Sequence, residues 1–288
     1  MIERLCIIGV GLIGGSLARA LRAQEYVREI VGYGRTAANL HEAVRLGVID
    51  GAETSVAAAA RDADMVVVAV PVRATREVLE QMRDALAPEA VVTDVGSVKL
   101  SVVADARAAL GARFADFVPG HPIAGTERSG VAASTVDLYA GRRVILTPEA
   151  ETNDRALARV RAMWAAAGAA VATMSAAAHD RVLAASSHLP HALAYTLVDM
   201  IVRMDEHRAV FDCAGGGFRD FTRIAASDPT MWRDIFLANR TELLLLLEQY
   251  QEDLQVLMDA VERGDEEAIG EICARAKRAR EALNDNEK

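Results

Sequence analysis

A histidine held between a glycine and a proline, Gly120-His121-Pro122, is the residue best suited to acid–base chemistry in this sequence. Its neighbours disfavour regular structure and leave the imidazole at the end of an extended run, and imidazole is the usual group for taking a proton from an alcohol near neutral pH. With an unperturbed value of about 6.5, such a base predicts activity that rises between roughly pH 6 and 7. A second polar run, Thr93-Asp94-Val95-Gly96-Ser97-Val98-Lys99, precedes a helical pattern. Taken alone, Ser97 is most economically an N-cap for that helix. Farther on, Ser187-His188-Leu189-Pro190-His191 supplies two more imidazoles, and Gly215 through Ala225 supplies a glycine-rich and charged stretch. Three consecutive glycines cost backbone entropy and predict a loop that bends closely around something. Beyond them Arg219 and Arg223 stand four apart on one helical face, with Asp220 three before Arg223. At that spacing the acid and base either form a surface ion pair or make a clamp in which Arg223 grips a carboxylate and Asp220 orients it.

A second kind of chemistry stands at the start of the chain. Gly9-Val10-Gly11-Leu12-Ile13-Gly14 follows a strand-like run and opens a helical one. In that context the three glycines serve a tight turn, a close approach of backbone to a pyrophosphate, and close helix–strand packing, with the helix N-terminus facing the anion. An NAD site places Asp or Glu at the end of the next strand, near the ribose. This sequence instead reads Gly32-Tyr33-Gly34-Arg35-Thr36. A guanidinium there suits a 2′-phosphate, which favours NADP over NAD; the competing reading makes Arg35 a solvated helix-start residue and lets either cofactor bind. A third strand ending Val68-Ala69-Val70-Pro71 flanks the adenine and ribose.

The elements that must position these groups alternate. Arg4 to Ile8, Glu29 to Tyr33, Met65 to Val70 and Ala90 to Asp94 read as strands, each followed by a helical pattern: Leu12 to Gln24, Ala37 to Leu46, Ala74 to Leu86 and Val98 to Leu110. Such alternation predicts an α/β fold with a Rossmann-type, mainly parallel sheet. Three more strands, Asp116 to Pro119, Arg143 to Thr147 and Ala170 to Met174, surround a helix at Asp154 to Ala167. After about Ser175 only helical spacing remains, in Asp180 to Met204, Met231 to Met258 and Glu266 to Leu283, with Asp228-Pro229 as an N-cap and first-turn proline. Two domains are expected: residues 1–174 bind the dinucleotide, and residues 175–288 form an all-helical domain. Leu243 to Leu247 is apolar all round and must be buried on more than one side.

Composition removes other classes. With 52% hydrophobic and 25% charged residues among 288, the chain can fill one large or two modest cores. No stretch approaches the ~20 apolar residues of a membrane span, and no signal peptide is visible, so a cytoplasmic protein is expected. Cys6, Cys213 and Cys273 are widely spaced and without metal-ligand spacing, which predicts reduced packing residues and no metal site. A net charge of −9, with 32 dispersed Lys and Arg, argues against nucleic acid as a partner.

Four signatures in order behind the glycine fingerprint, Asp94 to Lys99, His121 to Glu127, His188 to His191, and Gly215 to Ala225 followed by Met231-Trp232, resemble the prephenate/arogenate dehydrogenase family over essentially the whole chain. The resemblance implies oxidative decarboxylation of prephenate to 4-hydroxyphenylpyruvate, or of arogenate to tyrosine, without a metal. It implies that His121 accepts the proton of the ring 4-hydroxyl as hydride leaves for the nicotinamide, and that Ser97 contacts both the hydroxyl region and the histidine. Arg223 then binds a substrate carboxylate, His191, Gly216, Asp220 and Trp232 shape the pocket, and Glu127, next to Thr126, stands at its entrance, where an acid also favours the amino group of arogenate. A homodimer formed through the helical domain follows from the same resemblance. Two rivals stay open: another dehydrogenase pairing a Rossmann domain with a helical C-terminal domain, which fold alone does not separate, and a non-catalytic NADP sensor whose helical half docks a partner.

Overall fold

The computed structural model describes residues 1–126 and 128–285. It contains two compact units, Met1–Arg240 and Thr241–Lys288. In chain order the strands are β1 (Ile2–Ile8), β2 (Val27–Tyr33), β3 (Gly51–Ala52), β4 (Met65–Val68), β5 (Val91–Asp94), β6 (Phe117–Val118), β7 (Gly120–Pro122), β8 (Arg143–Leu146) and β9 (Ala170–Thr173). The helices between them are α1 (Leu12–Ala23), α2 (Ala37–Arg45), α3 (Val56–Ala60), α4 (Thr75–Met82), α5 (Leu100–Leu110) and α6 (Asp154–Ala166). Seven more follow: α7 (Ala176–Leu183), α8 (Leu189–Val202), α9 (His207–Asp212), α10 (Gly216–Thr222), α11 (Pro229–Ala238), α12 (Arg240–Arg263) and α13 (Glu266–Asp285).

Six strands form one parallel sheet in the order β3-β2-β1-β4-β5-β6. β4 is buried along its whole length, as a strand covered by helices on both faces must be. Residues of the two sheet faces enter separate cores: Leu5 and Ile7 pack with Leu17, Leu21 and Trp164, whereas Cys6 and Ile8 pack with Val66, Leu79 and Val102. The chain runs outward from β1 in one direction and resumes at β4 in the other. A crevice therefore opens at the carboxyl ends of β1 and β4, where ligands of such sheets sit.

A second sheet, β7-β8-β9, was expected in part, as the strands β8 and β9. β7 was not. His121 was anticipated outside regular structure, but it lies within a short strand antiparallel to β8, with His121 opposite Ile145. Three residues carry no period from which a strand can be read. The long helix anticipated from Asp180 to Met204 is also divided. Between α7 and α8 the segment Ala184–His188 is a π-turn; Pro190 has no N–H to donate and its ring crowds the carbonyl four residues back, which forces the helix to widen. Asp228 caps α11 as its sequence predicts, accepting from Met231 N at 2.7 Å ahead of Pro229.

Within the single chain the Leu243 to Leu247 run is covered only in part, and the expectation that all three cysteines are packing residues fails. In the Leu243 to Leu247 run only Leu243 is buried, while Leu244 and Leu245 are 53% and 57% exposed. Of the cysteines only Cys6 is a packing residue, its thiol pushed up by burial; Cys213 and Cys273 are exposed. Among the described residues no helix is long and apolar enough to cross a membrane, and no cluster of His, Cys, Asp and Glu could hold a metal ion.

Candidate active site

The crevice begins with the glycine turn. Gly9 has a φ of +101°, and a Cβ on it would stand 2.2 Å from the Ala69 carbonyl oxygen, so only glycine fits. Its N–H donates to the Tyr33 carbonyl at 2.8 Å, which ties the turn to the end of β2. Gly14 is equally constrained, with Gly9 O 2.6 Å from the position of a Cβ. Gly11 differs: nothing lies within 4 Å of that position, and the first turn of α1, including Leu12 and Ile13, carries no acidic residue and no side-chain cap. The three glycines thus divide into turn, open cradle and packing, an arrangement that fits a pyrophosphate at the start of α1. Around it stand Gly34, Arg35 and Thr36 after β2, and Val70 and Pro71 after β4; Arg35 and Thr36 are exposed, and among the described residues the Arg35 side chain makes no hydrogen bond or ion pair.

Beside this cradle the loop after β5 is built around a buried ion pair. Asp94 Oδ2 accepts from Lys99 Nζ and from Gly96 N, while Oδ1 accepts from Gly120 N at 3.0 Å. Lys99 Nζ also donates to the Gly120 carbonyl at 2.8 Å. Both polar groups of Gly120 are therefore held by one pair of side chains that are 0% and 1% exposed, and this fixes the residue that carries His121. The lysine is held below its ordinary range by burial, against the pull of Asp94.

His121 is itself buried. Its Nδ1 stands 2.9 Å from His179 Nε2, and His179 Nδ1 stands 2.8 Å from Asp180 Oδ1. The Asp180 carboxylate also accepts from Lys99 N at 2.7 Å and Leu100 N at 2.9 Å, which caps α5 from a distant helix. The role considered for Ser97 as N-cap is thus taken by Asp180, and the N-cap position falls on Lys99. Ser97 is half-buried, with no hydrogen bond to its hydroxyl among the described residues. Burial, with His179, Lys99 and His188 nearby, holds His121 well below 6.5. The acid limb expected between pH 6 and 7 moves down accordingly, because desolvation disfavours the charged imidazole.

The helical side closes the opposite wall. His188 is buried, and Asn239 Nδ2 donates both to its Nδ1 at 3.1 Å and to the Asp180 carbonyl at 2.9 Å. Burial lowers His188 to about 4. His191 donates from Nδ1 to Ser187 O at 2.8 Å, leaving Nε2 bare, and stacks on Trp232 with ring centroids 3.5 Å apart. Trp232 in turn packs with Val98, the neighbour of Ser97. His191 and Trp232 thus stack on each other, Trp232 packs with Val98 next to Ser97 in the chain, and His121 is joined to the helical side through His179. Arg223, Asp220 and Gly216 sit on α10 and the 3-10 turn Arg223–Ala226, exposed, on elements that pack against α8. The glycine loop expected there is in fact the start of a helix: Gly215 is its N-cap at φ −79°, and no atom lies within 4 Å of a Cβ on any of the three glycines. Thr126 lines a cavity of about 630 Å³ with Ile123, Asp137 and Arg142; His121 is not part of its wall. Glu127 lies outside the described residues.

Residues 17–173 match the family model of the prephenate dehydrogenase nucleotide-binding domain, and residues 175–275 that of the prephenate dehydrogenase dimerization domain. The chain belongs to the prephenate dehydrogenase family. It is 37% identical to the cyclohexadienyl dehydrogenase of Zymomonas mobilis, over 98% of this chain and 96% of that one. With the prephenate dehydrogenase of Bacillus subtilis the identity is 35%, over 98% of this chain and 76% of the relative. The solved prephenate dehydrogenase of Aquifex aeolicus in complex with hydroxyphenyl propionate and NAD+ superposes with a TM-score of 0.91 at 40% identity, covering 98% and 99% of the two chains. His179, Asp180 and Asn239 also border the site, and sequence reasoning missed them. His179 lies 58 residues from His121, beyond any local period, and Asp180 reads as an ordinary helix-start acid.

Proposed function

We propose that this chain catalyses the NAD(P)-dependent oxidative decarboxylation of prephenate to 4-hydroxyphenylpyruvate, with arogenate, yielding tyrosine, as an alternative substrate. The observation that carries the reading is a buried histidine beside a dinucleotide cradle, with one nitrogen engaged inside the protein and the other without a partner among the described residues. A bound nicotinamide supplies the hydride acceptor for the ring carbon that bears the hydroxyl. His121 Nε2 takes the hydroxyl proton as that carbon becomes a carbonyl, and loss of CO₂ aromatises the ring. The pull thus comes from the substrate, and the protein provides position and charge complementarity. Ser97 is the hydroxyl that orients the reacting oxygen against His121. Arg223 binds a carboxylate of the substrate, Asp220 and Gly216 support it, and His191 with Trp232 forms a flat wall for the ring; Thr126 and Glu127 stand at the entrance.

The division of labour follows: residues 1–174 hold the cofactor, and residues 175–288 hold the substrate and join two copies as a homodimer. Leu244, Leu245, Leu254, Val256, Met258 and Val261, all exposed in the single chain, supply an apolar surface for such a partner. NADP is favoured over NAD, because Arg35 stands exposed and unengaged after β2 and no acidic residue occupies Gly34. A steady-state assay of reduced-nicotinamide absorbance, with prephenate and arogenate each paired with NAD and NADP, tests the whole reading. Turnover in any pairing carries the reaction, and no turnover in all four refutes it. Arg35→Ala then lowers kcat/KM for NADP by roughly tenfold or more, the worth of a charge-assisted hydrogen bond, and leaves NAD within about twofold; equal losses remove Arg35 from cofactor choice.

A further inference from the structure

The base needs a particular tautomer, and this fold contains a device that sets it. A histidine accepts a proton at Nε2 only if its neutral form carries hydrogen on Nδ1, and which nitrogen is protonated follows from the hydrogen bond made by the other. Asp180 begins the sequence. Its carboxylate accepts two backbone N–H groups at the N-terminus of the 11-residue helix α5, a place where negative charge is favoured. An acceptor with no hydrogen to give requires His179 to present Nδ1–H, over 2.8 Å. His179 Nε2 is then a lone pair, and at 2.9 Å it requires Nδ1–H from His121. His121 Nε2 is left without a partner among the described residues.

We infer that Asp180 and His179 are positioning residues for His121, forming a relay that holds its proton on Nδ1 and keeps Nε2 free as the base. This rests on His121 being the proton acceptor. The relay is protected: His179 is 0% exposed and Asp180 1%, so water does not compete for these bonds. The other polar groups around the ring reinforce it. Lys99, on the remaining side, gives its ammonium protons to Asp94 and Gly120, and His188 accepts from Asn239. When His121 gains the substrate proton, its Nδ1–H stays on His179 and the positive ring stands two bonds from the Asp180 charge, so the relay also stabilises the product of proton transfer. No proton needs to move along it.

Side-chain ¹⁵N NMR of histidine-labelled protein reads the relay without turnover. His121 and His179 each show protonated Nδ1 and bare Nε2 in the unmodified chain; the opposite pattern at His121 overturns the inference. Asp180→Asn leaves one amide oxygen for three N–H groups, so His179 loses its fixed form and His121 Nε2 becomes partly protonated. The expected kcat loss is at least tenfold, toward the roughly 10⁴-fold cost of a wrong histidine tautomer in serine proteases, with KM for substrate within about twofold. Should this variant fail to fold, His179→Gln and His179→Leu replace it. Gln restores an acceptor for His121 Nδ1–H and Leu does not, so Leu loses at least tenfold more kcat; equal losses refute the relay. His121→Asn runs alongside: wild-type turnover there sinks the base itself, whereas an inactive His121→Asn with an unaffected Asp180→Asn sinks only the relay.

Discussion

Lys99→Met tests whether the buried ion pair behind His121 is what holds the site in place. Methionine fills similar volume but leaves Asp94, 1% exposed, with only two backbone N–H groups, from Gly96 and Gly120. It also strips the Gly120 carbonyl of its partner. Removing one member of a buried pair costs about 3–5 kcal/mol, because the remaining charge stays desolvated. In a protein of this size each kcal/mol moves the melting point by about 2–4 °C, which gives a fall of roughly 6–20 °C. Thermal denaturation followed by circular dichroism at pH 7 measures it. The double variant Lys99→Met with Asp94→Asn recovers at least half of the loss, since the group left behind is then neutral and hydrogen-bonded. A single variant melting within 2 °C of the unmodified chain, or a double variant no better than the single, refutes the reasoning.

Gly9→Ala forces a side chain into the Ala69 carbonyl at a positive φ, and about 1–3 kcal/mol of strain is expected together with loss of dinucleotide binding by calorimetry; unchanged affinity would move the cofactor elsewhere. The acid limb of kcat/KM, which reports the free enzyme, lies below 6.5 because burial and the nearby His179, Lys99 and His188 disfavour the imidazolium of His121; a limb centred at 6.5 or above contradicts a buried base. His188, lowered by burial to about 4, is neutral in the folded chain and takes a proton on unfolding once the pH drops under about 6.5. Its contribution is complete above 6.5 and about 3 kcal/mol is lost as pH falls to 4, so His188→Gln flattens the decline in chemical-denaturation stability over that window. Arg223→Lys replaces a planar fork by a point charge and raises KM for the substrate at least tenfold while KM for the cofactor moves less than twofold; equal changes remove Arg223 from the carboxylate role.

What could be read in the sequence was local. The glycine fingerprint announces its own strand, turn and helix because each of Gly9, Gly11 and Gly14 has a steric job within a few residues of itself, and the apolar runs of β1 and β4 announce buried parallel strands by composition alone. His121 was recognisable for its type and flanking residues, but its environment was not. The strand it occupies is three residues long and exists only because β8, more than twenty residues later, pairs with it. The glycines at Gly215–Gly217 misled for the converse reason: backbone freedom signals a loop, yet the chain uses none of it, and the freedom shows only as open space around a helix start. Ser97 marks where local reading stops. A serine before a helix reads as its cap, and nothing nearby says otherwise. The cap comes instead from Asp180, some eighty residues on, whose carboxylate serves the α5 N–H groups and His179 together. One distant side chain thereby orders the histidine pair and releases the serine from a structural duty, so the orientation of His121 belongs to an arrangement that no stretch of sequence contains by itself.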